Sequence, residues 1–341
     1  VQFYDLYRVG PTYDRENFFD MREFLLGEAG HREVFYYPET AYWVTFDNDI
    51  PIFLPQYGYA RWNDLYRLRT SGMNGQINFS SGWEWGFWLN EYVSMWHNYA
   101  PEADYAAPIR RVLAAFGPAA ASAFEVFDAY VRWQGDELLA KNGIRWLVAW
   151  DAADDFGHFV GIHAQPIVAR LYEVAKYTPQ ELDAFEAEQL PQLEAIAADL
   201  SAYSRRWGNL AGDVAPNGRP VYDEFRDGID VTAMRAHFML ALYRAVVANA
   251  RGQTSAADLE LARAAALKRA ALGVVAVREP HYRYPFDEVG VDRESRTSYP
   301  FGYLRTVSDL WYWERELKMA RDPEHYDFLT ALYDLVDTAG F

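Results

Sequence analysis

The sequence predicts an α/β region followed by a mostly α one: a partial (β/α) barrel-like part over residues 1–104, packed on a helical domain over residues 105–341. Two observations carry this reading. Strand-like and helix-like runs alternate through the first hundred residues, the rhythm of parallel strands with helices packed outside them. From about residue 106 onward apolar residues recur instead at three- and four-residue spacing, helix after helix.

Taken in order, VQFYDLYRV reads as a strand, YDRENFFDMREFLLGEAG as a helix and EVFYYPET as a second strand. IPIFLPQY is a further strand candidate that its two prolines demote to an edge or a loop. A helix then ends in YARWNDLYRLR, SGMNG turns the chain, GQINFS is strand-like and LNEYVSMWHNY is an amphipathic helix. The long segment APIRRVLAAFGPAAASAFEVFDAYVRWQGDELLAKN has helical period, punctuated by Gly117-Pro118. Thr178-Pro179-Gln180-Glu181 sets a threonine cap, a proline at the first helical position and a glutamate three residues on, so a helix should run from there to about Trp207.

After the loop GDVAPNGRP a helix is expected at roughly 231 to 251, and Ser255 should cap an alanine-rich helix reaching about Leu272, with Asp258 completing the box. Residues 278–302, REPHYRYPFDEVGVDRESRTSYPFG, break the pattern with Pro, Gly and aromatics. Long irregular segments of this composition are functional loops more often than disordered ones, so this one should pack over a groove. VSDLWYWERELKMA and EHYDFLTALYDLVDTA close the chain as helices.

Composition bounds the function. The formal charge of −17 in 341 residues argues against nucleic acid and anionic membrane as partners, because both need a basic footprint. No apolar stretch reaches the roughly 20 residues a membrane span requires. Cysteine is absent, which removes disulfides, thiolate metal sites and cysteine nucleophiles but leaves the compartment open, leaning to an extracellular or periplasmic one. The chain begins with Val1, as a processed protein or part of a longer one would, so a missing N-terminal part of the same protein is a further expected partner. Aromatic content of 17% exceeds what a core of this size needs and suggests groove-lining rings suited to the C–H faces of sugars.

The candidate catalytic pair is Glu39 and Glu84. Each stands among aromatic side chains directly after a strand-like run, in VFYYPETAYWVTFD and GQINFSSGWEWGFW. Apolar surroundings raise a carboxyl pKa, which a general acid needs near neutral pH. Tyr37, Trp43, Trp83 and Trp85 would offer stacking faces and Asn78 a polar contact, while Asp47 and Asp49 stand as alternative acids or as turn residues. For every one of these rings the plain alternative is helix-to-sheet packing.

Other chemistries lose ground. His158 and His163 are five apart, which does not set them on one helical face as a zinc helix requires. Asp151, Asp154 and Asp155 suit a hard cation or a solvated helix end. With no glycine-rich phosphate loop and no G-x-S-x-G elbow, neither a nucleotide cofactor nor serine hydrolysis is indicated, and no cofactor or metal is expected.

YYPETAYW and FSSGWEWGFW resemble the strand-end motifs of TIM-barrel glycoside hydrolases, and the helical region behind them resembles the helical C-terminal domains that some of these enzymes carry. The resemblance covers mainly residues 30–100. It implies a carbohydrate-active enzyme acting on an oligo- or polysaccharide, with the acid and the nucleophile or base supplied by a carboxylate pair. One departure is plain, since about three βα units fall short of the eight that a barrel of ~250 residues contains. Two other readings stay open. A helical-toroid polysaccharide lyase would use His281, Tyr282 and Arg283, with Tyr as acid or base and Arg on a uronate carboxylate. A non-catalytic glycan-binding or scaffold protein would use its aromatic clusters for binding alone.

Overall fold

A computed structural model describes residues 26–36, 52–70, 72–76, 85–141, 143–147, 169–282, 310–327 and 330. Among these the chain is almost wholly helical, which corrects the α/β expectation. The only β structure described is one parallel pairing of two-residue strands, β1 (Phe35–Tyr36) with β2 (Gly75–Gln76), and among the described residues no barrel forms. Asn74 lengthens that pairing slightly, its backbone N–H donating to the Val34 carbonyl while its side-chain oxygen accepts from the Val34 N–H.

The physical reason for the miss lies in what β-propensity measures. Aromatic and branched residues fit any half-buried surface, a pleated one being only one case. Here they pack between helices. Ile52 and Phe53, inside the strand candidate IPIFLPQY, are completely buried without strand pairing, and the chain turns helical at Gln56 just after Pro55.

The helices that matter below are α1 (Gln56–Leu68), α2 (Phe87–Tyr99), α3 (Ala106–Leu113), α4 (Ala120–Trp133), α5 (Leu190–Gly208), α6 (Arg219–Ala250), α7 (Thr254–Tyr282) and α8 (Trp311–Arg321). Between α3 and α4 the chain narrows to a 3-10 turn at Ala114–Ala119, where Gly117 sits at φ 62° before Pro118. The expected breaker is therefore a kink rather than an end. Thr178 caps Pro179–Ala184 as its sequence indicates, its N–H donating to Glu181 at 2.7 Å and its hydroxyl oxygen accepting from the Glu181 N–H at 3.3 Å.

Two boundaries differ from expectation. α6 begins at Arg219, because Tyr222, Phe225 and Ile229 already supply a buried stripe at helical spacing. α7 begins at Thr254, so Ser255 lies inside the helix, and it continues to Tyr282 with Ala257, Ala264 and Ala271 buried at seven-residue intervals. Helical continuity also makes Ala106–Leu138 and Pro216–Ala250 long and apolar enough to cross a bilayer by length and composition. In the second, 83% of the most apolar window is buried within the protein, as core helices are.

The chain divides into two compact units. One comprises Val1–Trp43, Phe53–Ile144 and Ala202–Ile229, and the other Val44–Ile52, Arg145–Ser201 and Asp230–Phe341. The first unit has an aromatic core in which Phe53 meets Phe127, Tyr130 and Phe225 at centroid distances of 6.5, 6.0 and 5.0 Å. Trp207 stacks on Tyr222 at 5.8 Å and 10° in the same unit. The second unit is organised by a buried ion pair. Arg235 of α6 is fully buried and makes a two-pronged contact with Glu316 of α8, while its Nε donates to the Leu147 carbonyl at 2.8 Å. Trp313 and Phe238 flank the guanidinium at 5.3 and 5.6 Å.

Candidate functional site

The first unit contains a pocket of about 420 Å³, within the range of small-molecule sites. Its walls come from α1, from the turn before α3, and from α4 with the residues that follow it. Tyr59 and Trp62 are three apart on α1 and so share one face, their rings 5.1 Å apart. Both are half-buried, each leaving part of its ring open. The Trp62 indole N–H donates to the Ala103 carbonyl at 3.0 Å, and Arg69 near the end of α1 binds Glu102 at 2.6 Å, so the turn is clamped to the helix at two points.

That turn delivers Asp104 and Tyr105. A carboxylate oxygen of Asp104 accepts from the Ala106 N–H at 3.3 Å, and the rest of its side chain faces solvent. Tyr105 is 6% exposed and meets Tyr59 edge-on at 5.1 Å. Its hydroxyl is buried and has no hydrogen-bond partner among the described residues. Burial holds the Tyr105 phenol far above its usual pKa, with the charge of Asp128 and the neighbouring Tyr59 phenol adding to the effect. The group is therefore a permanent O–H donor beside those two residues.

From α4 come Asp128, Val131 and Arg132, again at helical spacing. Arg132 Nε donates to Asp128 Oδ2 at 2.8 Å, and this bond raises the already high pKa of the guanidinium. After Trp133 the helix widens into a π turn, Gln134–Ala140, which brings Gly135 and Asp136 to the pocket wall. Such turns insert a residue and re-aim the side chains after it, and they recur at functional sites. The turn is anchored from beneath, since Gln134 accepts from the Gln56 N–H at 3.2 Å and donates to the Phe53 carbonyl at 2.8 Å, and Tyr130 donates to that carbonyl at 3.2 Å.

Behind Trp62 lies His97, buried and 6.3 Å away ring to ring. Desolvation lowers its pKa, outweighing the raising effects of the Ala100 carbonyl and Asp104, so the imidazole is neutral at pH 7.

Of the residues singled out in the sequence, Trp85 is completely buried in the first unit, where the Gly228 backbone packs against it. The WEWGFW motif thus has a packing role where it is described. Gly86 takes φ 64°, with a ring of Phe53 filling the space a side chain would need. Its N–H and the Trp88 indole N–H both donate to Glu224, each at 2.9 Å, stapling the start of α2 to α6. Glu39, Glu84, Tyr37, Trp43, Asn78, Trp83 and Arg283 lie outside the described residues, as do Asp47, Asp49, Asp151, Asp154, Asp155, His158 and His163. His281 and Tyr282 are the last two residues of α7, and their side chains also fall outside the description.

The pocket residues were not read from the sequence as a site. The signal was present in YARWNDLY, where aromatics at 59, 62 and 66 form a stripe on a helix whose other face is also needed for packing. The Asp104 and Asp136 contributions depend on a turn and a π segment that periodicity does not report.

In the second unit Ser201 Oγ lies 2.7 Å from His237 Nε2, the pairing of a nucleophile and base. Its geometry argues otherwise. The hydroxyl donates its one proton back to the Ala197 carbonyl at 2.9 Å, and no carboxylate or carbonyl orients the buried His237 Nδ1 among the described residues. Among the described residues no three His, Cys, Asp or Glu side chains gather as a metal site. The chain matches no known protein family, no curated protein and no solved structure.

Proposed function

We propose that this chain binds carbohydrate, and that the pocket of the first unit is its sugar site. The observation that carries the reading is the convergence of two half-open rings, Tyr59 and Trp62, with Gln56, Asp104, Asp128 and Asp136 around one cavity. A pyranose presents C–H faces and a girdle of hydroxyls. The rings suit the first, while the carboxylates and the Gln56 amide suit the second, each taking the donor or acceptor role that its chemistry fixes.

Titration calorimetry with cellotetraose and chitotetraose, on the protein and on its Trp62→Ala variant, tests this. Saturable binding that weakens about tenfold or more in the variant, or ~1.4 kcal/mol, supports the reading. Trp62→Phe serves as the control for folding, since it keeps a ring and loses only the bond to Ala103. Absence of saturable binding overturns the proposal.

Glycoside hydrolysis is the second reading, favoured by several carboxylates standing around one cavity and by the glutamates Glu39 and Glu84 of the sequence. It requires turnover of the bound oligosaccharide that either Glu39→Gln or Glu84→Gln abolishes without unfolding the chain. Binding without turnover leaves the site as a recognition site.

A further inference from the structure

We infer that Gln56 is the residue by which this pocket selects its sugar, its side-chain amide holding two neighbouring hydroxyls of one pyranose. The inference rests on the carbohydrate reading above and adds to it the group on the sugar that is read.

Gln56 is the first residue of α1, and its backbone is fixed there because its N–H donates to Gln134 Oε1 at 3.2 Å. The residue is only 4% exposed and lines the cavity. Its Nε2 lies beside Gly135, another wall residue, 3.6 Å from where a Cβ on that glycine would stand. The side-chain amide makes no hydrogen bond among the described residues, and unlike the Tyr105 hydroxyl it is not closed off from the cavity. A polar group so deeply buried and left without a protein partner is costly and rare. A ligand entering the cavity supplies that partner, and this observation is independent of the carboxylates.

The chemistry of a primary amide narrows the ligand. It carries an acceptor oxygen and a donor nitrogen side by side in one plane, so the group that satisfies both offers an acceptor and a donor at the same spacing. Two adjacent ring hydroxyls do so, one oxygen accepting from Nε2 and the other hydroxyl donating to Oε1. The rest of the cavity suits the same ligand. Carboxylate oxygens only accept, so Asp104 and Asp136 are answered by further O–H donors, while Tyr59 and Trp62 offer their faces to C–H groups. An adenine edge also pairs with such an amide, but its one amino group is used there and none is left for the carboxylates.

The test is titration calorimetry of methyl β-cellobioside and its monodeoxy derivatives with the protein and with Gln56→Met, which keeps the length of the side chain and removes the amide. Gln56→Met should bind the parent sugar about tenfold more weakly, and removing either of two adjacent hydroxyls should cost about fivefold in the protein but less than about twofold in the variant. Its unfolding midpoint should be unchanged or raised, because no hydrogen bond of the fold is lost. Gly135→Ala sets a methyl against the amide and should weaken the same sugar several-fold, which keeps the inference testable if Gln56→Met does not fold. Deoxy losses of equal size in the protein and in Gln56→Met would overturn the role of the amide while the carbohydrate reading stands. So would a lowered midpoint with unchanged affinity, or adenine binding more tightly than the cellobioside and losing that affinity in Gln56→Met. Binding of cellotetraose or chitotetraose without binding of the cellobioside would overturn this inference alone, and binding of no sugar would overturn both proposals.

Discussion

The two units place the same residue types to opposite ends. In the second, Arg235, Glu316, Trp313 and Phe238 are buried together, and each nitrogen of the guanidinium is engaged by Glu316 or the Leu147 carbonyl. In the first, Arg132, Asp128, Tyr59 and Trp62 stand around an open cavity with their charges partly in water. A carboxylate, a guanidinium and aromatic rings thus make an internal fastening in one place and a recognition surface in another. What separates the cases is burial: charge sealed from solvent must be satisfied by the protein itself, and charge at a cavity mouth can be satisfied by something that binds.

The largest expected effect comes from breaking the sealed pair. Glu316→Gln leaves Arg235 charged and buried without its counter-ion, and denaturant unfolding should show a loss of about 3–5 kcal/mol. The double change Arg235→Met with Glu316→Leu should recover most of that loss, whereas Asp128→Asn in the open pair should cost ~1 kcal/mol or less. Equal costs for the sealed and open pairs would erase the contrast between the units.

Next in size is Gly228→Ala in the first unit. A methyl there would lie 2.8 Å from Trp85 Cβ and 2.9 Å from Phe53 Cβ, atoms too close to the backbone to move aside. Overpacking should destabilise the chain by roughly 1–3 kcal/mol, visible as a lower unfolding midpoint. A variant as stable as the parent would show that Trp85 is not held in the core as described.

Tyr105→Phe sharpens the contrast from the other direction. Removing a buried hydroxyl that has no partner among the described residues should leave stability unchanged or raised, and should leave sugar affinity unchanged because that hydroxyl is closed off from the cavity. A loss of stability of ~1 kcal/mol or more would show that the hydroxyl has a partner in the fold after all.

The smallest effect is in the pH dependence. The folded state holds the His97 pKa below 6.5, so between that value and the lower folded one the unfolded chain binds more protons. The contribution of His97 is therefore complete above pH 6.5 and lost as pH falls through the folded value. His97→Gln should flatten the acid limb of the stability curve, and an unchanged limb would show that the imidazole is not desolvated behind Trp62.

How far the sequence could be read follows from the same physics. Thr178 and Glu181 were legible because a capping box is local, and the period of α3, α4, α5 and α8 is plain in their residues. The aromatic segments of the first hundred residues misled because Phe53, Trp85 and Trp88 are placed by partners far along the chain, in α4 and α6, and nothing local distinguishes a ring packed on a helix from one packed on a sheet. The site was harder still. Trp62 and Tyr59 show as a stripe, but Asp104, Tyr105 and Asp136 join them only through a turn and a π segment.

The most direct test of the central claim is saturation-transfer NMR of an oligosaccharide, cellotetraose or chitotetraose, with the protein and with Trp62→Ala. The account predicts transfer to the sugar ring C–H protons that Trp62→Ala abolishes while the variant stays folded. Transfer that survives loss of Trp62 undiminished would place the sugar elsewhere and contradict the assignment of this pocket.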